Sequence, residues 1–412
     1  MPSARPVRSI RPVRVARRRA ARGRLAIASL ALMATAGLVT AACATTTESV
    51  DGDAGPVREL GVDEYQDRLH GAWQATMVAN QSGLDLQGIW IDDPGPGSSI
   101  ELEFPEQWST DDDTHVEWLD LHILETHGID PTPEQVRDEW VAHLNNDIWV
   151  STRVARDLMD EGVLPPETGS AERNPQGVWS IDAQLQTELF GLVAPGLPSE
   201  ARRRAARFAA ITNSGLAVDV SAFYAHLYAE AFFESDIDWL LDRALAAEPD
   251  DSEVAEIVGA VRAWHQEHPD DWRTTRARIA EAYDTEPEWW ASRVNTAATI
   301  MALLYGDGDL VATLDIAGLA GWDADNNMTA AAGLLGVILG FDGLPPSFQE
   351  ATDVYFNQDL TGDLPMFDSV ANIAVRTRRI GDDVMFSVGT RRDGDLYRIP
   401  VVDPLLGLDG SS

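Results

Sequence analysis

The sequence contains no lysine, and its only cysteine is Cys43. The first absence excludes Schiff-base chemistry on a lysine and the phosphate-binding lysine of a Walker loop. The second leaves the chain beyond residue 43 without a thiol nucleophile, an intramolecular disulfide or a cysteine-bound zinc. Positive charge is scarce as well. Of the 31 basic residues, all arginine, nine lie between Arg5 and Arg24, where no acid occurs, and the other 22 face 67 Asp and Glu. The formal charge of −36 therefore becomes 22 against 67, or −45, once that segment is set aside. Such a surface repels nucleic acid, which is excluded as a partner. An anionic ligand would need metal ions or helix N-termini to offset the field.

What is present begins with an address. "LAIASLALMATAGLVTAA" follows the arginines as an apolar run of small residues, in the order of a secretory signal. Thr40, Ala41 and Ala42 then precede the lone cysteine, the pattern of a lipoprotein box with Cys43 carrying the lipid. A transmembrane anchor is the competing reading; the run is short for a span and no charged stop-transfer cluster follows. The expectation is a signal over residues 1–42, a flexible Thr/Gly/acid-rich tether over 43–60, and a chain lipid-anchored at the extracytoplasmic face of a bacterial cell membrane.

Helical periodicity dominates from Asp63 onward. "VDEYQDRLHGAWQATMVAN" has an acidic first turn and puts Tyr65, Leu69, Trp73, Thr76, Met77 and Asn80 on one face. "THVEWLDLHILETHG" ends on a C-terminal glycine, Gly128, and "DPTPEQVRDEWVAHL" restarts with proline at a helix head. "IELEF", residues 100–104, has the alternation of a short strand. "DVMFSVGTRRDGDLYRIPVV" alternates around an Asp-Gly turn and reads as a hairpin. The expected fold class is all-α, one multi-helix domain over residues 61–380, with a small C-terminal β-hairpin in a tail over 381–412.

Two acidic clusters carry candidate chemistry. Asp111, Asp112 and Asp113 run consecutively into a helix. A helix cap needs one carboxylate, whereas three in a shared site raise one another's pKa. A divalent cation relieves that conflict by taking several carboxylate oxygens at once. The second cluster is "GWDADNN", with Asp323, Asp325, Asn326 and Asn327. It is not an EF-hand loop, because Met328 stands where glycine is needed and Leu334 where a bidentate glutamate belongs. Each cluster alone also reads as a cap or turn. Facing each other, they would make a two-metal oxygen site suited to Mg²⁺ or Mn²⁺. The histidines, with His115, His122 and His127 on one helix and His265 and His268 near an acidic turn, read as surface or core residues rather than a metal set.

"DRLHGAW", "DDDTHVEWLDLHILETHGIDPT", "GVLPPETGSAERNPQGVWSIDAQLQTELFGLVAPGLP", "YGDGDL" and "AGLAGWDADNNMTAAAGLLG" stand in an order and spacing that resemble the ADP-ribosylglycohydrolase family, in its larger bacterial branch. The resemblance implies an all-α fold with two Mg²⁺ or Mn²⁺ ions, cleaving a glycosidic bond of ADP-ribose or of an ADP-ribosylated protein. It implies metal ligands at Asp111, Asp112, Asp113, Asp323, Asp325 and Asn326. Catalytic positions fall on Gln87 and Asp113, and substrate-binding positions on Asn80, Asp182, Gly306, Asp309 and Asn327. Asp182 also reads as a helix cap, and Glu188 as a solvated acid.

The departures from the family pattern bear on activity. Many members have threonine where this chain has Asp111 and Asn326. Ala79-Asn80 replaces a glycine–aspartate pair, Asn213 stands where simpler members carry histidine, and Gln87 replaces the glutamate that assists proton transfer or positions water. Glutamine does not titrate usefully, so one catalytic element is lost or relocated, with Asp85, Glu101, Glu103 and Asp182 as candidates to replace it. Two functions follow as expectations. One is a metal-dependent hydrolase; the other is a catalytically impaired lipoprotein that binds metal and ADP-ribose on the same fold.

Overall fold

A computed structural model describes residues 55–401, apart from residues 110 and 147 and the side chains of 186 and 187. The leader, Cys43 and most of the expected tether lie outside the described residues. After strand β1 (Val57–Gly61) come α1 (Val62–Gly83), the short β2 (Trp108–Ser109), α2 (Asp112–His127), α3 (Pro133–His143) and α4 (Val150–Asp160). Three single-turn 3₁₀ segments lead into α5 (Thr187–Leu192), α6 (Pro198–Ala209), α7 (Leu216–Ala231), α8 (Ile237–Leu245), α9 (Glu253–Glu267) and α10 (Trp272–Tyr283). The last part holds α11 (Ser292–Gly306), α12 (Leu310–Ala320), α13 (Ala324–Leu339), α14 (Pro346–Gln349), β3 (Val354–Phe356), β4 (Phe367–Ser369), α15 (Val370–Ser387), β5 (Arg391–Asp393) and β6 (Leu396–Pro400). The fold is mostly helical, as expected.

Local chemistry explains several boundaries. Thr132 and Gln135 form a reciprocal capping box with Pro133 at the first position of α3, and α2 ends at Gly128 with φ 82°. At the centre, α1 and α13 are buried on nearly every side, which their many Ala, Gly and small polar residues permit. The two helices run antiparallel, because Gly71 meets Gly336 near one end and Gly83 meets Asp325 near the other. A Cβ on Gly71 would lie 2.6 Å from the Gly336 carbonyl oxygen, so the main chains touch where a side chain would hold them apart. The α7, α11 and α12 helices pack around α13, while α2 and α15 flank α1.

The strands form two small sheets. One has the order β1-β6-β5, all antiparallel, with Val57 opposite Pro400; the other has the order β2-β3-β4, with Trp108 parallel to Tyr355. The hairpin about the Asp-Gly turn is present, but two expectations need correction. "DVMFS" is not a strand: α15 continues to Ser387 because Val384 and Met385 fall on its buried face, so a boundary at 380 cuts a helix. "IELEF" is not a strand either: side chains satisfy its main chain, with Asp315 accepting from the Ile100 N–H at 2.8 Å and Ser82 Oγ from the Glu103 N–H at 2.9 Å. Residues 57–60, the end of the expected tether, are part of β1. No helix among the described residues is long and apolar enough to cross a membrane.

Candidate active site

The heads of α2 and α13 open onto one cleft of about 240 Å³, lined by Gln87, all three consecutive aspartates, Asp182, Asp323 and Asp325. Asp111 is the N-cap of α2 and accepts from the Asp113 N–H at 3.3 Å, so one of the three carboxylates does act as a cap. Asp323 is the N-cap position of α13 but its side chain caps nothing. It is left for the cleft.

Amides hold the carboxylates in place. Asn80 on α1 donates its Nδ2 to Asp111 Oδ1 at 3.0 Å and to Asp113 Oδ2 at 3.2 Å, while Asn326 donates to Asp113 Oδ1 at 2.9 Å. Burial is the first cause that pushes the carboxyls of Asp112, Asp113, Asp323 and Asp325 well above their ordinary pKa, and the leading electrostatic neighbours of all four are other carboxylates. Asp325 Oδ1 is buried without a hydrogen-bond partner. An unbalanced, oxygen-only donor set with an orphaned buried atom fits hard divalent cations such as Mg²⁺ or Mn²⁺, with Asp111, Asp112, Asp113, Asp323 and Asp325 as the residues able to hold them.

Asp182 comes from a separate segment and reaches the same cleft. Its Oδ1 accepts from the Thr152 N–H and from Thr152 Oγ1, both at 3.0 Å, which fixes the carboxylate at the head of α4. Main-chain pairing aligns this segment with the opposite wall, the Ile181 N–H donating to the Trp290 carbonyl at 3.1 Å and the Ser292 N–H to the Trp179 carbonyl at 2.8 Å. The result sets Asp182 among aspartates, and its charge is one of those that raise the Asp112 pKa. Asp85, Glu101 and Glu103 are not among the lining residues. Glu188 is buried beside Glu117 and acts on Asp113 electrostatically without lining the cleft.

Other expectations are not met. Asn326 turns its Nδ2 to Asp113 and so orients that carboxylate. Asn327 is fully buried; its Nδ2 donates to Asn295 and its Oδ1 accepts from Thr299, which makes it a brace for α13 and not a substrate contact. Gly306 and Asp309 do not join the site. They belong to the turn between α11 and α12, where Asp309 caps α12. The cleft lies at the other end of α11, beyond Ser292, and a 15-residue helix separates the two ends by about 22 Å. Asn213, where the resemblance leads one to expect a histidine, is buried and donates to the Gly177 and Ser180 carbonyls.

Several site residues escaped the sequence reading. Trp149, Trp289 and Trp290 form aromatic walls of the cleft, with Trp149 45% exposed. The doublet at 289–290 was the available signal. Asn295 gave none: its Oδ1 accepts from the Asp323 N–H at 3.0 Å and its Nδ2 donates to the Trp289 carbonyl at 2.8 Å, tying an acidic head to an aromatic wall. Trp322 has φ 57° and Val150 φ 38°, strained values for side chains with a Cβ. One directly precedes Asp323 and the other lines the cleft. The guanidinium of Arg276, stacked 4.0 Å over the Trp322 ring, holds that turn in place.

The family model described as ADP-ribosylglycohydrolase matches residues 62–376. Among solved structures, a chain described as an ADP-ribosylglycohydrolase-related protein complex aligns with a TM-score of 0.54 at 19% identity, over 77% of this chain and 99% of that one. At that identity the likeness is one of fold. No curated protein matches the chain.

Proposed function

Because the chain belongs to the ADP-ribosylglycohydrolase family, we propose that it hydrolyses the glycosidic bond of an ADP-ribose conjugate in the cleft between α2 and α13. The observation that carries this reading is the meeting of five aspartates from two helix heads, with only carboxylates as the leading charges around four of them. Divalent ions of the Mg²⁺ or Mn²⁺ class, once bound, would neutralise these carboxylates and polarise the ribose oxygens at a centre that becomes oxocarbenium-like.

The chain's own residues then divide the work. Asn80 and Asn326 keep Asp113 in one orientation. Asp182 replaces the missing glutamate as the group that orients water and takes its proton, since its carboxylate is fixed by Thr152 and faces the cleft. Gln87 stays in the cleft as a polar contact that can donate and accept without titrating. The tryptophans offer flat faces to a base. We also propose that Cys43 carries a lipid and that the domain works at the extracytoplasmic face of the membrane, on the strength of the box ahead of the cysteine.

The test is incubation of the purified domain with ADP-ribosyl-arginine and with O-acetyl-ADP-ribose, with and without Mg²⁺. Metal-dependent release of ADP-ribose is the expected result. Mg²⁺ binding without release in the wild type, with release gained by Gln87→Glu, would instead assign the protein to the binding class.

A further inference from the structure

A second cluster lies at the opposite end of α2 from the aspartates. His122 stands near the end of α2, nine residues after Asp113 and therefore about 14 Å along the axis. Glu139 and His143 lie four apart on α3, on one face of that helix, and meet it there. Glu139 Oε2 is 3.4 Å from His122 Nε2 and 3.1 Å from His143 Nε2. One ligand atom from each of the three residues can be chosen so that all lie within 4.8 Å of one another. The spacing of histidines along α2 hides this group, because its two other members come from α3.

Hydrogen bonds behind His143 and Glu139 fix which of their atoms face inward. His143 Nδ1 is 2.8 Å from the Thr361 carbonyl oxygen, which can only accept, so the proton belongs on Nδ1. That leaves Nε2 as the atom facing the Glu139 carboxylate, 3.1 Å from its Oε2. The other oxygen of Glu139 is held by His127 Nε2 at 2.7 Å. Arg376, the cation on His122's side, is itself paired with Glu125 and Asp368. An ion bound at about 2.1 Å by nitrogen and oxygen in tetrahedral geometry needs ligand atoms about 3.4 Å apart. The observed separations of 3.1 and 3.4 Å are close to that value.

We propose that His122, Glu139 and His143 bind a single transition-metal ion of the zinc class, with His127 and the Thr361 carbonyl orienting the ligands from behind. Two imidazoles and one carboxylate suit Zn²⁺, Co²⁺ or Ni²⁺ and not Mg²⁺, so this site differs in kind from the oxygen-only cleft. It ties α2 to α3 and, through Thr361, to the segment between β3 and β4. This inference does not depend on the proposed hydrolysis.

Chelator-stripped protein titrated with Co²⁺ in excess Mg²⁺ tests it. One equivalent is expected to bind with the visible absorption of nitrogen-ligated, four-coordinate cobalt. His122→Gln should weaken binding by more than 10-fold and His127→Gln by about 10-fold, the usual cost of removing an orienting partner. Asp112→Asn should leave it unchanged. X-ray absorption on the zinc-loaded wild type, expected to show imidazole scattering, gives a readout that needs no variant to fold. Absence of a nitrogen-ligated ion from the wild type, or its loss in Asp112→Asn, would overturn the proposal.

Discussion

Asn326 at the head of α13 donates its Nδ2 to Asp113 Oδ1 at 2.9 Å, so one amide joins the two acidic helix heads. Asn80 holds the other oxygen of Asp113 at 3.2 Å from α1. Both oxygens of this carboxylate are therefore aimed before any ligand arrives. Preorientation of this kind is what partners behind a metal ligand provide.

The clustered charge has a cost that is measurable without metal. Asp112 has a raised pKa through burial and through repulsion by Asp111, Asp113, Asp182 and Asp325. A carboxyl raised in the folded state binds protons there more readily than in the unfolded chain, so stability falls as pH rises through the folded pKa. In chelator, Asp112→Asn should be more stable than wild type at pH 8. The gap should close as pH falls, read as urea midpoints. A constant gap would show that the charge is not its source.

Asp182→Asn keeps an oxygen for the Thr152 N–H and removes the carboxylate. Loss of a general base lowers turnover by roughly 10² to 10⁴-fold. That loss is expected in kcat for ADP-ribose release, with Mg²⁺ affinity changed far less. Unaltered kcat would return the catalytic role to another residue.

Trp289 lines the cleft, held by Asn295 through its main-chain carbonyl and packed edge-to-face with Trp290. Base stacking on an aromatic face is worth about 1–3 kcal/mol. Trp289→Ala should raise KM by roughly 5- to 150-fold at nearly constant kcat. A fall in kcat alone would place the ring against the reacting atoms.

Gly336→Ala tests the central seam. The added methyl would sit 2.7 Å from Ala72 Cα, and overpacking of this kind costs typically about 1–3 kcal/mol. Thermal unfolding should show the loss, and an unchanged midpoint would mean that α1 and α13 separate easily.

Buried His226 makes the fold sensitive to acid. Its imidazole is buried, neither ring nitrogen has a hydrogen-bond partner, and its pKa is lowered to about 3 by burial and by Arg202, Arg243 and Arg58. With the folded pKa depressed, stability is full above 6.5 and declines as pH falls between 6.5 and about 3. The decline is about 1.4 kcal/mol for each pH unit, so His226→Leu should be more resistant at pH 5 than wild type relative to pH 7. Parallel denaturation curves at the two pH values would refute this.

Much of the architecture could be read from the sequence because its signals are local. The cap of α3, the glycine after α2, the Asp-Gly hairpin and the two acidic helix heads all rest on neighbours within a few residues. Residues that depend on distant partners could not be read this way. Asn327 carries the same side chain whether it braces Asn295 or meets a ligand, and only the packing of α11 on α13 decides. The turn at Gly306 to Asp309 alternates glycine and aspartate, yet the length of α11 sets it at the far end of that helix from the cleft. His143 needed α3 folded against α2 before its neighbours could be known.

The contact between Gly71 and Gly336 acts as a ruler. Where main chain rests on main chain, no rotamer can lengthen or shorten the gap, and α1 lies at one fixed offset from α13. Asn80 carries that offset to Asp111 and Asp113, and Asp325 lies against Gly83 on the other helix. The span between the two acidic heads is thus calibrated by backbone dimensions, which are the same for every sequence. A chain could exchange most of its outer side chains and still keep the distance across its cleft.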